Sequence, residues 1–383
     1  MLAQRLARNP ARTLAAATPG HAEPMSIRVL IVDDSPLARA LLRTILEREP
    51  DIEVIGEASD GRRAVALALE LRPSLVTMDL EMPGLHGLDA IAEIMRTKAL
   101  PILVVSSVED AAVACEALSR GALDVITKPD DSDARISAFI AKVRLLAGMV
   151  VATRWRALGA QRPAGTPAPE ALEVGKPQTS LPPRPASLRL PASQPARLVA
   201  IVASTGGPQA LASILSALPA DFPATVLIAQ HIAEGFSAGL AQWLSLGSRL
   251  PVQLAKDGEA PRPGQIYLAP SERNLALSAH GRLELRPRAQ QDIYHPNCDL
   301  LLNSVAETVG RRAIGLILTG MSSDGALGMA RIRAQGGLTL AQDEASSVVY
   351  GMNRVAIEAG AIDRVVPLAE LGAFLDRAVR VGS

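Results

Sequence analysis

The sequence contains little of what marks several large classes of protein. It has two cysteines, Cys115 and Cys298, in 383 residues, so a disulfide framework is excluded and a reducing, cytoplasmic setting is expected. The formal net charge is zero, which gives no electrostatic footprint for nucleic acid or for an anionic membrane surface. No apolar run approaches the length of a membrane span. We therefore expect neither a nucleic-acid partner nor insertion into a membrane.

The composition does supply enough apolar side chains for two hydrophobic cores. Hydrophobic residues make up 48% of the chain, and since aromatic residues make up 2%, the cores must be built mainly from Ala, Leu and Val. The length allows two domains and a linker. We expect a disordered leader over 1–25, a first domain over 26–148, a Pro/Ala-rich linker over 149–196 and a second domain over 197–383. Met25 is a second candidate for the start of translation.

The first domain alternates five short apolar strands with five helices, which predicts a (βα)5 flavodoxin-like fold. Polar side chains directly follow the strands, and these are Asp33, Asp34, Asp79, Ser106 and Lys128. Because the carboxyl ends of parallel strands meet at one edge of a sheet, we expect these side chains to lie together. Three close carboxylates repel one another unless a divalent cation neutralises them, and oxygen ligands favour Mg²⁺. A lysine and a hydroxyl facing that ion would suit a phosphoryl group.

These residues make the first domain resemble the receiver domain of response regulators, over about residues 26–146. The matching motifs are the Asp33-Asp34 pair, Met-Asp-Leu-Glu-Met-Pro-Gly around Asp79, Ser106 and the Lys128-Pro129 pair. The resemblance implies that Asp79 accepts a phosphoryl group whose oxygens are contacted by Ser106 and Lys128. It also makes the Lys128–Pro129 bond a candidate cis peptide.

The same resemblance implies a Mg²⁺ site beside Asp79. The ion would be bound by Asp34, Asp79 and the backbone carbonyl of Glu81. Asp33 would lie behind these ligands or would reach the ion through a water. The sequence departs from many receivers at Val125, where an aromatic residue is common. Without this aromatic residue, a swinging ring cannot relay the signal from the phosphorylation site. Phosphorylation itself does not depend on it.

One stretch organises the second domain. Leu198–Ala203 has the continuous apolar pattern of a buried parallel strand, and Pro208 suits the first turn of a helix. Ser204-Thr205-Gly206-Gly207 lies between them and places a hydroxyl at the carboxyl end of the strand. The turn is either a packing or phosphate-binding loop, or an elbow that presents Ser204 as a nucleophile. It matches neither the phosphate-loop motif nor the Gly-x-Ser-x-Gly motif of hydrolases.

Two further residues favour the nucleophile. His231 and Asp324 each follow an apolar strand, as Ser204 does, and Ser, His and Asp together are the set that a serine hydrolase needs. Alternatives remain for each position. Asp324 precedes a helix and could be an N-cap, and His231 could be a core histidine. His280, in a predicted turn, and His295, in a loop, are rival candidates for the base.

The second domain resembles the catalytic domain of the chemotaxis protein-glutamate methylesterase (CheB) family, over residues 197–380. The matching segments are Ile201–Pro208, Ala229–His231, Tyr267–Pro270, Leu318–Ala326 and Ala341–Met352. A receiver followed by this domain is the architecture of the family. The departures are modest: Ser322-Ser323 replaces a Gly-Ala-like pair, and Asn353 stands where proline is common.

The resemblance implies a role for each residue of the candidate site. Ser204 would be the nucleophile, His231 the base and Asp324 the carboxylate that orients the histidine. The backbone N–H groups of Thr205 and Met321 would hold the oxyanion. No cofactor is expected for catalysis, and the only expected ion is Mg²⁺ in the receiver.

The resemblance also implies a function. The chain is expected to be a cytoplasmic hydrolase, activated by phosphorylation of Asp79, that removes methyl esters from glutamates of chemoreceptors and releases methanol. It would also deamidate receptor glutamines. Its partners would be the chemoreceptors and a chemotaxis histidine kinase, and the unphosphorylated receiver would pack over Ser204. The fold class is a (βα)5 receiver followed by a doubly wound, mostly parallel α/β domain. The alternative is a response regulator with a non-catalytic docking or anion-binding output domain.

Overall fold

The computed structural model describes residues 26–106, 111–130, 132–149, 198–289 and 294–380, which form two α/β units. The strands of the first unit are β1 Ile27–Val32, β2 Ile52–Ala58, β3 Leu75–Met78, β4 Ile102–Ser106 and β5 Asp124–Thr127. Its helices are α1 Pro36–Leu46, α2 Gly61–Leu71, α3 Gly87–Thr97, α4 Ala111–Ser119 and α5 Asp133–Ala147. The strand order is β2-β1-β3-β4-β5, and all pairs are parallel. The predicted (βα)5 fold is confirmed.

Two helices of the first unit, α1 and α2, begin at short capping motifs. The Ser35 hydroxyl accepts a hydrogen bond from Ala38 N at 3.3 Å, and Pro36 occupies the first turn of α1. The Asp60 carboxylate accepts a hydrogen bond from Arg63 N at 2.9 Å at the start of α2. The connections from β1 to α1 and from β2 to α2 are therefore short, and the polar residues that follow the strands stay at the carboxyl edge of the sheet.

The second unit is larger. Its strands are β6 Leu198–Ala203, β7 Thr225–Gln230, β8 Val252–Leu254, β9 Ile266–Leu268, β10 Asn274–Leu277, β11 Leu283–Arg286, β12 Ala313–Ile317, β13 Leu338–Gln342 and β14 Arg364–Val366. Its helices are α6 Gly207–Ala217, α7 Ser237–Gly247, α8 Cys298–Val309, α9 Ala326–Ala334, α10 Met352–Glu358 and α11 Leu368–Arg380. A seven-stranded parallel sheet has the order β14-β13-β12-β6-β7-β9-β8, and β10 and β11 form an antiparallel hairpin. The predicted mostly parallel α/β fold is confirmed.

The central strand β6 determines where a site can form in this sheet. Val199 and Ile201 pack into the core on one face, whereas Ala200 and Val202 pack into the core on the other, which explains the continuous apolar run. From β6 the chain first builds β7, β9 and β8 on one side, and later builds β12, β13 and β14 on the other. The strand order thus reverses between β6 and β12. In such sheets the crevice at the carboxyl ends of the strands beside the reversal is the usual place for a site.

Several expectations are corrected or lie beyond the described residues. The sequence analysis did not predict the helices α7 and α11 or the strands β8 and β14. The two strands have three residues each, and a pattern of alternating burial cannot be recognised over three residues. Among the described residues the one cis peptide bond is His295–Pro296, so the expectation of a cis Lys128–Pro129 bond is wrong. The leader 1–25 and nearly all of the linker 149–196 lie outside the described residues. No helix of the described chain is long and apolar enough to span a membrane.

The packing of Phe139 generates a stability prediction. This α5 residue is fully buried in the core beside β1, β3 and β4. We expect Phe139→Ala to lower the free energy of unfolding of the first unit by about 3–5 kcal/mol, because a large side chain is replaced by a cavity. Hydrogen exchange of the β1 amides, recorded along a urea titration, measures this free energy of unfolding. The matched Phe374→Ala, at a partly buried α11 position, should leave those amides unchanged, and equal effects of both variants would contradict the assignment.

Candidate active site

The turn after β6 is held tightly, and it places Ser204 at the carboxyl edge of the sheet. Ser204 N donates to Thr319 O at 3.0 Å, and Gly207 N donates to Ser204 O at 2.8 Å. Gly206 has a φ of +77°, in the left-handed region, and a Cβ there would lie 2.5 Å from Val348 Cβ. The sequence of the turn is therefore dictated by its backbone. Ser204 itself is 7% exposed.

His231 follows the neighbouring strand β7 and is paired with a carboxylate. Its backbone N–H donates to Ala203 O at 2.9 Å, which extends the pairing of β6 and β7 to the histidine. Its ring atom Nε2 lies 2.8 Å from Asp324 Oδ2. The other ring nitrogen, Nδ1, is buried and has no hydrogen-bond partner among the described residues. No hydrogen bond therefore joins Ser204 to His231 in this state, and Nδ1 is the nitrogen left to accept a proton.

The carboxylate of Asp324 is fixed by the N-terminus of α8. Cys298 N donates to Asp324 Oδ2 at 2.8 Å, and Asp299 N donates to Oδ1 at 2.8 Å. Burial opposes ionisation of this carboxyl, but the hydrogen bonds from His231 and from these two N–H groups outweigh it and lower its pKa. Asp324 is thus held as an anion beside the imidazole. The N-cap of α9 is Gly325, so the N-cap alternative for Asp324 is not what the structure contains.

The structure pairs Asp324 with His231, and not with the turn histidine that was a rival candidate for the base. That histidine, His280, is exposed between β10 and β11. The backbone of His295 holds the residue that follows His231, because the His295 carbonyl accepts a hydrogen bond from Ile232 N at 3.2 Å.

The backbone N–H groups of Thr205 and Met321, the predicted oxyanion donors, have no acceptor among the described residues, and the same holds for those of Gly206 and Ser322. The loop after β12 that carries Met321 is pinned by Gly320, whose carbonyl accepts hydrogen bonds from Gly351 N at 3.0 Å and from Met352 N at 2.8 Å. A Cβ at Gly351 would lie 2.5 Å from Gly320 O, so only glycine permits this approach. Unused donors on rigid backbone are suited to receiving a negatively charged oxygen.

Sequence reasoning missed several residues of this site. Gln230 is buried, and its Nε2 donates to Ser204 O at 2.7 Å and to His231 O at 2.9 Å, so one side chain ties the two turns together. A buried glutamine at the end of an apolar strand was the available signal. Tyr294 and Cys298 both contact the His231 side chain, the first by ring stacking and the second through Sγ at 3.2 Å from Nε2. Nothing local marks these two positions.

The first unit carries the second candidate site. Carboxylate oxygens of Asp33, Asp34 and Asp79 lie within 4.8 Å of one another. Lys128 Nζ lies 2.9 Å from Asp33 Oδ2 and 2.9 Å from Asp79 Oδ2. Ser106 is buried at the end of β4, and its carbonyl accepts a hydrogen bond from Lys128 N at 3.0 Å. The structure thus brings all five strand-end residues to one edge, as predicted.

The donor set of this edge fits a hard divalent cation. Burial raises the pKa of the Asp79 carboxyl against the opposing hydrogen bond from Lys128, and the charge of Asp33 adds to the increase. A single ammonium therefore does not compensate the clustered carboxylates. Oxygen ligands of this kind are those that Mg²⁺ prefers. The part of the Glu81 carbonyl in this site stays a prediction.

The two units are in contact beside Ser204. The Thr205 hydroxyl donates to Asp124 Oδ2 at 2.8 Å and lies 3.0 Å from Lys142 Nζ, which is itself paired with Asp124. Gln209 Nε2 donates to Ala122 O at 2.8 Å. The first unit therefore holds the residue that adjoins Ser204.

Apolar packing extends this contact. Helix α4 of the first unit lies against α7 of the second. Phe236, just before α7, is fully buried and packs with the core of the first unit, whereas Cys115 of α4 packs with the core of the second. The two units thus share a continuous apolar interface next to the candidate active site.

The fold and the two sites define a class of protein: a receiver domain that is joined to, and docked on, an α/β domain with a serine, a histidine and an aspartate at its sheet edge. Comparison with known families agrees. The response regulator receiver domain family matches residues 29–139, and the CheB methylesterase family matches residues 199–375.

Full-length relatives support the same assignment. The chain is 50% identical, over 91% of its length and 95% of the relative, to the protein-glutamate methylesterase/protein-glutamine glutaminase 3 of Paramagnetospirillum magneticum. It is 43% identical, over 90% of its length and 95% of the relative, to the protein-glutamate methylesterase/protein-glutamine glutaminase 2 of Anaeromyxobacter dehalogenans. The chain belongs to the CheB family of receiver-linked protein-glutamate methylesterase/protein-glutamine glutaminases.

The clustered carboxylates generate a testable prediction. Because the folded-state pKa of Asp79 is raised, its ionisation costs stability as the pH rises through that pKa. We expect Asp79→Asn to raise the free energy of unfolding at neutral pH without Mg²⁺. The gain should shrink when Mg²⁺ neutralises the wild-type cluster, and also towards about pH 4, where carboxyl groups become protonated.

Urea titrations of the two proteins at neutral and acid pH, with and without Mg²⁺, measure this difference. Glu70→Gln removes an exposed carboxylate at the end of α2 and should show neither dependence. Equal stability of wild type and Asp79→Asn under all these conditions would show that the three carboxylates do not form a cation site.

Proposed function

We propose that this protein hydrolyses γ-methyl esters of glutamate side chains in chemoreceptors, releases methanol, and deamidates selected receptor glutamines during chemotactic adaptation. The single observation that carries the proposal is the hydrogen bond between His231 and Asp324, formed at the strand edge where Ser204 and two unused N–H donors also lie. We propose that this reaction takes place in the cytoplasm, where the receptor glutamates and a histidine kinase are both accessible.

The proposed reaction is acyl transfer through Ser204. Ser204 Oγ attacks the ester carbonyl while its proton passes to His231 Nδ1, and the carbonyl oxygen becomes an oxyanion on the N–H groups of Thr205 and Met321. The intermediate collapses, the proton on Nδ1 passes to the methoxide oxygen, and methanol leaves. Nδ1 then takes a proton from water, whose oxygen attacks the acyl-enzyme. The acyl bond to Ser204 breaks, Nδ1 returns its proton to Ser204 Oγ, and glutamate is released.

Asp324 serves both half-reactions. Its carboxylate accepts the hydrogen of His231 Nε2, which leaves Nδ1 free as the base and stabilises the imidazolium that forms. The N-terminus of α8 keeps the carboxylate ionised. Each such group lowers a barrier by several kcal/mol in serine hydrolases. No cofactor takes part in these steps.

We propose that the receiver regulates this chemistry through Asp79. A chemotaxis histidine kinase supplies the phosphoryl group, and Mg²⁺ held by Asp33, Asp34 and Asp79 would neutralise its oxygens together with the carboxylates. Lys128, which now bridges Asp33 and Asp79, turns to the phosphoryl oxygens, and Ser106 donates its hydroxyl to them. The Glu81 carbonyl would complete the ligand set.

Phosphorylation of Asp79 would weaken the contact between the two units. In the docked state the Thr205 hydroxyl is bound by Asp124 and Lys142, so the receiver restrains the residue whose N–H is to receive the oxyanion. A receptor helix must reach the same edge. Phosphorylation would shift the population towards an undocked form with a free Ser204 turn. The alternative of a non-catalytic output domain is not favoured, since the family consists of hydrolases.

The proposed activity is tested by methanol release from methylated receptor fragments. We expect release by wild type, stimulated by acetyl phosphate and Mg²⁺, and a loss of at least a thousandfold in Ser204→Ala, as for removal of a serine nucleophile. Ser216→Ala, on the exposed side of α6, should behave like wild type. If Ser204→Ala and wild type release methanol equally, Ser204 is not the nucleophile.

The proposed regulation is tested by loosening the contact alone. We expect Asp124→Asn, which removes the charge that Thr205 and Lys142 share, to raise methanol release without phosphodonor severalfold and to leave the fully stimulated rate unchanged. The control is Asp130→Asn, whose carboxylate pairs with Arg135 on the receiver surface. Unstimulated rates that do not differ among wild type and the two variants would exclude this contact as a restraint.

A further inference from the structure

The imidazole of His231 lies against a tyrosine that the proposed reaction does not use. The ring of Tyr294 stacks on it with centroids 5.2 Å apart and planes 12° from parallel. Tyr294 stands shortly before α8, whose N-terminus holds Asp324, so the stacking ring and the carboxylate belong to one structural unit. The His231 side chain is 7% exposed, and the tyrosine residue is 38% exposed. The tyrosine thus covers one face of the histidine and separates it from solvent.

The hydrogen bonds of His231 do not by themselves fix its ring. Nε2 is held by Asp324, but Nδ1 has no partner among the described residues. A ring held at one nitrogen can still swing about that contact, and a swing moves Nδ1, the atom that must meet the Ser204 hydroxyl. A flat partner on the ring face removes this motion, because parallel stacking restricts the tilt of both rings.

The stack also matches the charge that develops on the histidine. When His231 accepts the proton of Ser204 it becomes a cation, and an aromatic face attracts a cation. Neutral imidazole gains less from the same face. The contact therefore favours the transition state over the resting state, which is the condition for an effect on rate rather than on binding.

We propose that Tyr294 is a positioning residue for His231: its ring holds the imidazole plane so that Nδ1 faces Ser204, and its face stabilises the imidazolium. The proposal rests on the proposed function of Ser204 and His231. The ring performs this role and the hydroxyl does not, so phenylalanine replaces tyrosine without loss. A leucine keeps an apolar side chain at this position but supplies neither the flat face nor the attraction for a cation.

The test measures two reactions of Ser204 in the full-length protein stimulated with acetyl phosphate and Mg²⁺. One is methanol release from receptor fragments, resolved into kcat and KM. The other is the rate at which a small sulfonyl fluoride labels Ser204, which depends on the activating histidine and involves no receptor. Four proteins are compared: wild type, Tyr294→Phe, Tyr294→Leu and Val365→Ala. Val365 is a half-exposed residue of the distant edge strand β14 and serves as the control.

We expect Tyr294→Leu to lower kcat and the labelling rate together, by roughly three- to thirtyfold, with KM unchanged. Tyr294→Phe and Val365→Ala should stay within about twofold of wild type. A raised KM with unchanged labelling would assign Tyr294 to receptor binding and overturn the proposal. Equal losses in Tyr294→Phe and Tyr294→Leu would assign the effect to the hydroxyl and also overturn it. If wild type itself neither labels at Ser204 nor releases methanol, the proposed function fails first, and the role of Tyr294 fails with it.

Discussion

The turn between β6 and α6 is the constraint on which both halves of the molecule depend. Its backbone is fixed by Gly206 in the left-handed region and by the hydrogen bond from Ser204 N to Thr319 O, so the Ser204 hydroxyl and the Thr205 side chain project from one rigid corner. The hydroxyl of Ser204 belongs to the candidate active site, and the hydroxyl of Thr205 belongs to the contact with the receiver. Because adjacent residues of one turn carry both, a change in docking would act directly on the proposed site.

The geometry also defines how far the regulatory signal must travel. Asp79 and Lys128 lie at the carboxyl edge of the receiver sheet, whereas Asp124, which binds Thr205, opens β5 at the opposite edge. The four residues of β5 span roughly 10 Å between these edges. Because position 125 is valine and not an aromatic residue, the proposed coupling would run through movement of α4 and β5 against α7 and α6. Such a movement would change the packing of Phe236 and Cys115, whose side chains lie across the interface.

The sequence was sufficient to locate the strand-end residues and was insufficient for their partners. Ser204, His231 and Asp324 could be placed because continuous apolar runs mark parallel strands and such strands end at a common edge. Tyr294 and Gln230 escaped prediction because their roles arise from side chains that meet only after folding. The pairing of Thr205 with Asp124 joins residues that lie 81 positions apart, in two domains, and no local pattern encodes it. The strands β8 and β14 were missed for a simpler reason, since each has three residues and three residues carry no periodicity.

The most direct test of the account is hydrogen exchange at the backbone of residues 204–210 and of α4 in the full-length protein, with and without acetyl phosphate and Mg²⁺. If the Ser204 turn is restrained by the docked receiver, phosphorylation should accelerate exchange in both segments together, and Asp79→Asn should abolish the response. Exchange that is unchanged by the phosphodonor, in a protein whose phosphorylation is verified by mass spectrometry, would contradict the claim that this turn links the receiver to the active site.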